Sequence, residues 1–104
     1  MLERYEPASD FLKAIIAEEV PLSGSVFADA NLGRLISLAQ DQDLSNRDWA
    51  TMILASEEMD TPLVRDALLA ALGDKSDVVR AEALLGLARR DPILALPFAF
   101  ESTV

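Results

Sequence analysis

Slid against itself until Asp41 falls on Asp74, this chain superimposes one turn and its flanking segments on another. In that register Arg47 falls on Arg80, Ala50 on Ala83, Leu54 on Leu87 and Ala55 on Ala88. In the preceding segment Leu35 falls on Leu68 and Ile36 on Leu69. Each copy reads as a helix, a short acidic turn, and an Arg near the start of a second helix. A fixed period of this size marks a stacked-helix array. One helix pair cannot hide its apolar face alone, so neighbours stack and share a core.

Local signals place the helices. In "SDFLKAIIAEEV" Ser9 is a good N-cap, and Phe11, Leu12, Ile15, Ile16 and Val20 form one apolar stripe. Pro21 is expected to stop that helix, with "PLSGS" as a loop. A second helix begins near Asp29, with Leu32, Leu35, Ile36 and Ala39 on its buried side. A third, "NRDWATMILASEE", is capped by Asp43 or Ser45, with Ala50, Ile53 and Leu54 facing inward. Thr61 caps a fourth, with Pro62 at its first position, where a missing N–H costs nothing. Gly73 is placed to end it in the left-handed conformation. Ser76 caps the fifth helix, which runs to about Arg89. Arg89 and Arg90 lie in its last turn, where they complement the helix dipole. Asp91-Pro92 repeats the cap-plus-proline device ahead of the apolar tail "ILALPFAF", in which Pro97 shortens or kinks any helix.

The stretch "LLAALGDKSDVVRAEALLGLARR" resembles a HEAT repeat, in particular the short bacterial type also found in phycobilisome-lyase-like proteins. The resemblance is good over 61–90 and fair over 29–58, where "LSNRDWA" replaces the usual Val-Arg. It does not reach residues 1–27. It implies an all-α fold: a short right-handed α-solenoid of two HEAT-like hairpins plus an N-terminal capping helix. In such families the turn Asp and the Arg six residues on commonly form a polar ladder between repeats. The resemblance carries that role to Asp41 with Arg47 and to Asp74 with Arg80. One domain of 104 residues then divides into an N-terminal cap (1–27), repeat 1 (29–58), repeat 2 (61–90) and a C-terminal cap or tail (91–104). Two repeats fall short of the roughly three that arrays usually need, so the Phe11–Val20 stripe is the candidate N-terminal cap. The tail either caps the other end or pairs with a second copy, giving a monomer or a homodimer.

Composition narrows the chemistry. Asp and Glu outnumber Lys and Arg by 18 to 9, a net charge of −9, and only Arg89 and Arg90 are adjacent cations. Nucleic-acid affinity rests on basic side chains, so none is expected. There is no Cys and no His. Disulfide and thiolate chemistry are therefore absent, together with the commonest general base and nitrogen metal ligand. HEAT-like enzymes include iron hydroxylases, bilin lyases and base-excision glycosylases. The hydroxylase mechanism needs His, the glycosylase needs a basic face, and the lyase needs a longer array. The carboxylates at Asp41/Asp43, Asp74/Asp77 and Glu57/Glu58/Asp60 match no calcium-loop spacing and read as caps and solvated charge. No cofactor or metal is expected. No apolar run approaches the ~18 residues of a membrane span, and the N-terminus carries no apolar signal core. A cytoplasmic, non-enzymatic chain is the expectation.

The candidate functional surface lies on the second helix of each pair, which lines the concave side of HEAT-like arrays. Trp49 falls on Glu82, Met52 on Leu85 and Ser56 on Arg89. If Glu82 faces solvent, so do Trp49 and Met52. The docking residues are then Trp49, Met52, Glu82, Leu85 and Arg89. Aromatic, Met and Arg side chains commonly centre protein interfaces. Against this, the N-terminal segment folded over Trp49 would bury it, as large aromatics mostly are. Arg47, Arg65 and Arg80 read as partners of nearby Asp residues ahead of binding an acidic ligand. The functional expectation is a protein–protein interaction module whose acidity favours a basic or apolar partner. The rivals are an accessory subunit of a lyase-like enzyme, and an inhibitor or immunity-type protein that masks a basic partner.

Overall fold

A computed structural model describes residues 6–57, 60–93 and 95–97. Every regular element in them is a helix: α1 (Asp10–Ile16), α2 (Ala28–Leu38), α3 (Leu44–Ser56), α4 (Pro62–Ala71) and α5 (Asp77–Arg90). The fold is all-α, with no strand among the described residues. None of these helices is long and apolar enough to cross a membrane. The chain forms two units, Met1–Ala50 and Thr51–Val104, and α3 runs through the boundary.

In the first unit the Ser9 hydroxyl accepts from Leu12 N at 3.3 Å and caps α1. The segment ahead of α1 is tied to the start of α3. Ala8 N donates to Ser45 Oγ at 3.2 Å, and Ser9 N to Asn46 Oδ1 at 2.9 Å. Phe11, Leu12 and Ile15 are buried, as are Ala28, Leu32, Leu35 and Ala39. The Arg34 guanidinium of α2 lies 4.3 Å above the Phe11 ring, a cation–π contact.

α1 ends a turn before the Pro21 stop expected for it. Glu19 N donates to Ala14 O and Glu18 N to Ile15 O, each at 2.9 Å. With Glu18 at φ 62°, this is a complete Schellman motif. Ile16 is 44% exposed and Val20 lies outside the helix, so the stripe stops early. Glutamate holds a conformation that costs an L-residue roughly 1–2 kcal/mol and glycine nothing. Glu18→Gly is therefore expected to gain up to about 1 kcal/mol, read from the midpoint of urea unfolding.

In the second unit Val64, Ala67, Leu68 and Ala71 of α4 are buried, together with Val79, Ala83, Gly86 and Leu87 of α5. Thr61 and Pro62 start α4 as expected, with Val64 N donating to Thr61 Oγ1 at 3.3 Å. Its end differs from expectation. Gly73 is not left-handed; among the described residues only Glu18 and Gly24 have positive φ. Gly73 N donates to Ala70 O and Asp74 N to Ala71 O, both at 3.1 Å, which tightens the last turn into a 3₁₀ step. The equivalent position in the first copy, Gln40, behaves alike. Gln40 N donates to Ser37 O at 3.0 Å and Asp41 N to Leu38 O at 3.2 Å. The step thus accepts a glutamine and makes no demand for glycine. A Cβ on Gly73 would meet only Ala70 O, at 3.5 Å. Gly73→Ala should raise stability by about 0.4–1 kcal/mol through the unfolded chain, seen as a higher thermal midpoint.

The two acidic turns are built the same way. Asp41 Oδ2 accepts from Asp43 N at 3.1 Å, and Asp74 Oδ1 from Ser76 N at 2.9 Å. Six residues on, Arg47 Nη1 donates to Asp41 O at 3.2 Å and Arg80 Nη1 to Asp74 O at 2.7 Å. Each Arg thus braces its own turn through the Asp main chain. Arg47 also reaches Gln42 O at 3.1 Å. The helix caps that follow differ. Asp43 Oδ1 accepts from Asn46 N at 3.1 Å, whereas the Ser76 side chain makes no cap bond. The Ser45 hydroxyl, and then Asn46 N, hold the Asp43 carboxyl below the ordinary carboxylate range.

Candidate protein-docking surface

The five expected docking residues do not share one environment. Leu85 is 52% exposed. Arg89 is exposed, but its Nη1 donates to Ala55 O at 3.3 Å. Glu82 is half-buried, so its expected solvent-facing setting is corrected. The position packs into the second unit, and one carboxylate oxygen is buried. Trp49 and Met52 are half-buried as well. Trp49 shares a cleft of about 370 Å³ with Glu6, Pro7, Lys13, Ile16 and Ala17. The N-terminal segment therefore walls in the indole, which is the burying arrangement weighed above carried part of the way.

The second unit has an apolar opening elsewhere. A groove of about 470 Å³ is lined by Ala81, Leu84, Leu85, Ala88, Pro92, Ala95 and Leu96. Helix α5 builds it because it is apolar on two sides. Val79, Ala83, Gly86 and Leu87 face the core, and Ala81, Leu85 and Ala88 repeat at helical spacing on the outside. Ser76 and Asp77 open this helix, and at its other end Ala95 N donates to Asp91 O at 3.2 Å, resuming helical backbone beyond the proline. Leu96 is thereby set beside Leu85 in the groove wall, 55% exposed. Leu85 and Leu96 thus leave apolar surface exposed along this groove. Sequence reasoning named Leu85 among the docking candidates and did not anticipate the groove. The available signal was a second apolar stripe on a helix that already had a buried one.

The charged residues near this unit are engaged structurally. Arg65 Nε donates to Asp60 Oδ1 at 2.7 Å and Nη2 to Oδ2 at 2.8 Å, a bidentate pair, and Nη1 reaches Asp91 Oδ2 at 3.5 Å. The Arg65 guanidinium lowers the Asp60 pKa, and Asp60 raises that of Arg65. What the depressed carboxylate contributes to stability is present at neutral pH. It is lost as pH falls through the folded value, below the ordinary one. Arg90 has a buried side chain, 5% exposed. Nη1 donates to Gly86 O and Ala55 O, at 2.9 and 3.2 Å, and Nη2 to Leu54 O and Glu57 O, at 3.0 and 2.7 Å. It caps the end of α3. Of the acidic clusters, Asp41, Asp43, Asp74 and Asp60 are held in turns, caps or ion pairs; Glu58 lies outside the described residues. No group of three potential metal ligands gathers among the described residues.

No family model matches the sequence, and no solved structure matches it. Over 61 residues, 59% of this chain, it is 34% identical to Protein YibA of Escherichia coli (strain K12), and equally to Protein YibA of Escherichia coli O157:H7. That match covers 22% of each, so the chain spans about a fifth of the length of the curated relatives it matches.

Proposed function

We propose that this chain is a non-catalytic protein–protein interaction module, a short HEAT-like α-solenoid whose outer helix face docks another protein. The observation that carries this reading is the apolar groove on α5, with Leu85 and Leu96 each more than half exposed. The identical bracing of the Asp41 and Asp74 turns, by Arg47 and Arg80, supports the repeat. In such an array, equivalent helices present equivalent faces for stacking or recognition. The net charge of −9 favours a partner with a basic rim. The same acidity fits an inhibitor or immunity-type role, in which the basic partner would be an enzyme or toxin held inactive. The cytoplasm is the compartment proposed for either.

The test is isolation of a stoichiometric complex from the native cell. The partner identified should bind the purified chain, and Leu85→Lys should weaken that binding by at least about 30-fold, as loss of an interface hot spot does. Its thermal midpoint should stay within about 2–3 °C, since Leu85 is half in water. Trp49→Ala supplies the contrast. Loss of stability there assigns the indole to packing, and loss of binding alone assigns it to the interface. Unchanged binding by Leu85→Lys would sink the assignment of the groove.

A further inference from the structure

The groove lining has counterparts one repeat earlier. Ala81, Leu84, Leu85 and Ala88 correspond to Asp48, Thr51, Met52 and Ala55 on α3. At Ala55 that face is occupied. A Cβ placed on Gly86 of α5 would lie 2.6 Å from Ala55 Cβ, so the two helices meet there backbone to backbone. Four residues after Gly86, Arg90 donates to Leu54 O, Ala55 O and Glu57 O at the end of α3. The groove thus presents at Ala88, one repeat on, the position that Ala55 presents to Gly86. At Ala88 the residue four positions on is Pro92, which has no N–H to offer the Ala88 carbonyl.

We infer that the groove seats an α-helix from a separate partner protein, carrying a small residue, Gly or Ala, followed four residues later by Arg. This rests on the docking reading above and specifies what docks. The small residue sits over Ala88 as Gly86 sits over Ala55, and leucines beside it fill the space between Leu84, Leu85 and Leu96. The Arg fork spans the last carbonyls of α5, which a lysine, with one point of charge, would satisfy less completely. A cation there also meets the negative end of the helix dipole on a chain of net charge −9.

The probe is a synthetic peptide of residues 76–93, which contains the Gly86–Arg90 spacing. Titrated into the full chain, it should shift backbone NMR resonances of Ala81, Leu84, Leu85, Ala88 and Leu96 and leave those of buried Val79 and Leu87 in place. A peptide carrying Gly86→Leu, and one carrying Arg90→Gln, should each bind at least about tenfold more weakly. The Leu85→Lys chain should not bind at all. Shifts centred on Val79 and Leu87 would mean the peptide displaces α5, and would overturn the proposal. Concentration-dependent dimerisation abolished by Leu85→Lys would overturn it in favour of a second copy of this chain. A native complex that depends on Leu85, together with no peptide binding, would leave the docking role standing and overturn the small-residue–Arg helix.

Discussion

Replacing Gly86 by alanine is expected to cost about 2 kcal/mol of stability and to lower the thermal midpoint by roughly 10 °C. Two effects oppose one another. In a helix interior alanine is favoured over glycine by about 0.5–1 kcal/mol through backbone entropy and propensity. Against that, the new methyl would sit 2.6 Å from Ala55 Cβ, 2.8 Å from Ala55 Cα and 3.2 Å from Leu68 Cδ1. Leu68 could turn aside, but the Ala55 backbone belongs to a buried helix and cannot move alone. α3 and α5 must part by several tenths of an ångström along their contact. Dispersion is lost along the whole seam, and the clash outweighs the propensity gain. Urea unfolding of Gly86→Ala beside Gly73→Ala is the direct comparison, since the two changes should move stability in opposite directions. Adding Ala55→Gly to Gly86→Ala should recover part of the loss, a coupling that distant sites do not show. A Gly86→Ala protein as stable as the parent would show that the close approach of Gly86 to Ala55 places no constraint on this unit.

The parts legible in the sequence were those fixed by neighbours a few residues apart. Thr61-Pro62 announces the start of α4 because a cap and a permitted proline act within one turn. The acidic turns were legible because Asp41 and Asp74, with Arg47 and Arg80, serve the same local purpose at the same spacing. Two chain reversals misled for opposite reasons. Glu18 takes the left-handed position without being glycine, so nothing marked it. Gly73 is glycine in a step that glutamine performs at position 40, so its signal was false. The site was harder still. Arg90 reads along its own helix as a complement to the α5 dipole, yet its guanidinium is spent on the end of α3, a relation set by packing. Glu82 and Trp49 are both half-buried instead of solvent-facing, and at Trp49 the residues that line its cleft come from the N-terminal segment. A charge at the equivalent position was therefore no guide to exposure, because packing and not residue type sets burial.

Arg90→Met should cost about 3 kcal/mol. Methionine replaces the volume of the stem, so the effect isolates the guanidinium. The last carbonyls of a helix have no partner within it, and here Arg90 supplies donors to Leu54 O, Ala55 O and Glu57 O. Arg89 would still reach Ala55 O, so the loss falls on Leu54 and Glu57. A buried carbonyl left without its donor costs roughly 1–3 kcal/mol, and water recovers part of this at half-buried Glu57. The favourable placing of a cation at the negative end of α3 goes as well. Arg90→Lys should recover less than half of the deficit, because one ammonium cannot span carbonyls set on two sides of the fork. Arg89→Gln should cost under about 0.5 kcal/mol, its side chain being exposed. Urea midpoints for the three variants give the order Met worst, Lys intermediate, Gln near parent. If Arg90→Met and Arg89→Gln fall together, the end of α3 is held by something other than this guanidinium. The same arginine would then no longer model the cation that a docked helix should bring to α5.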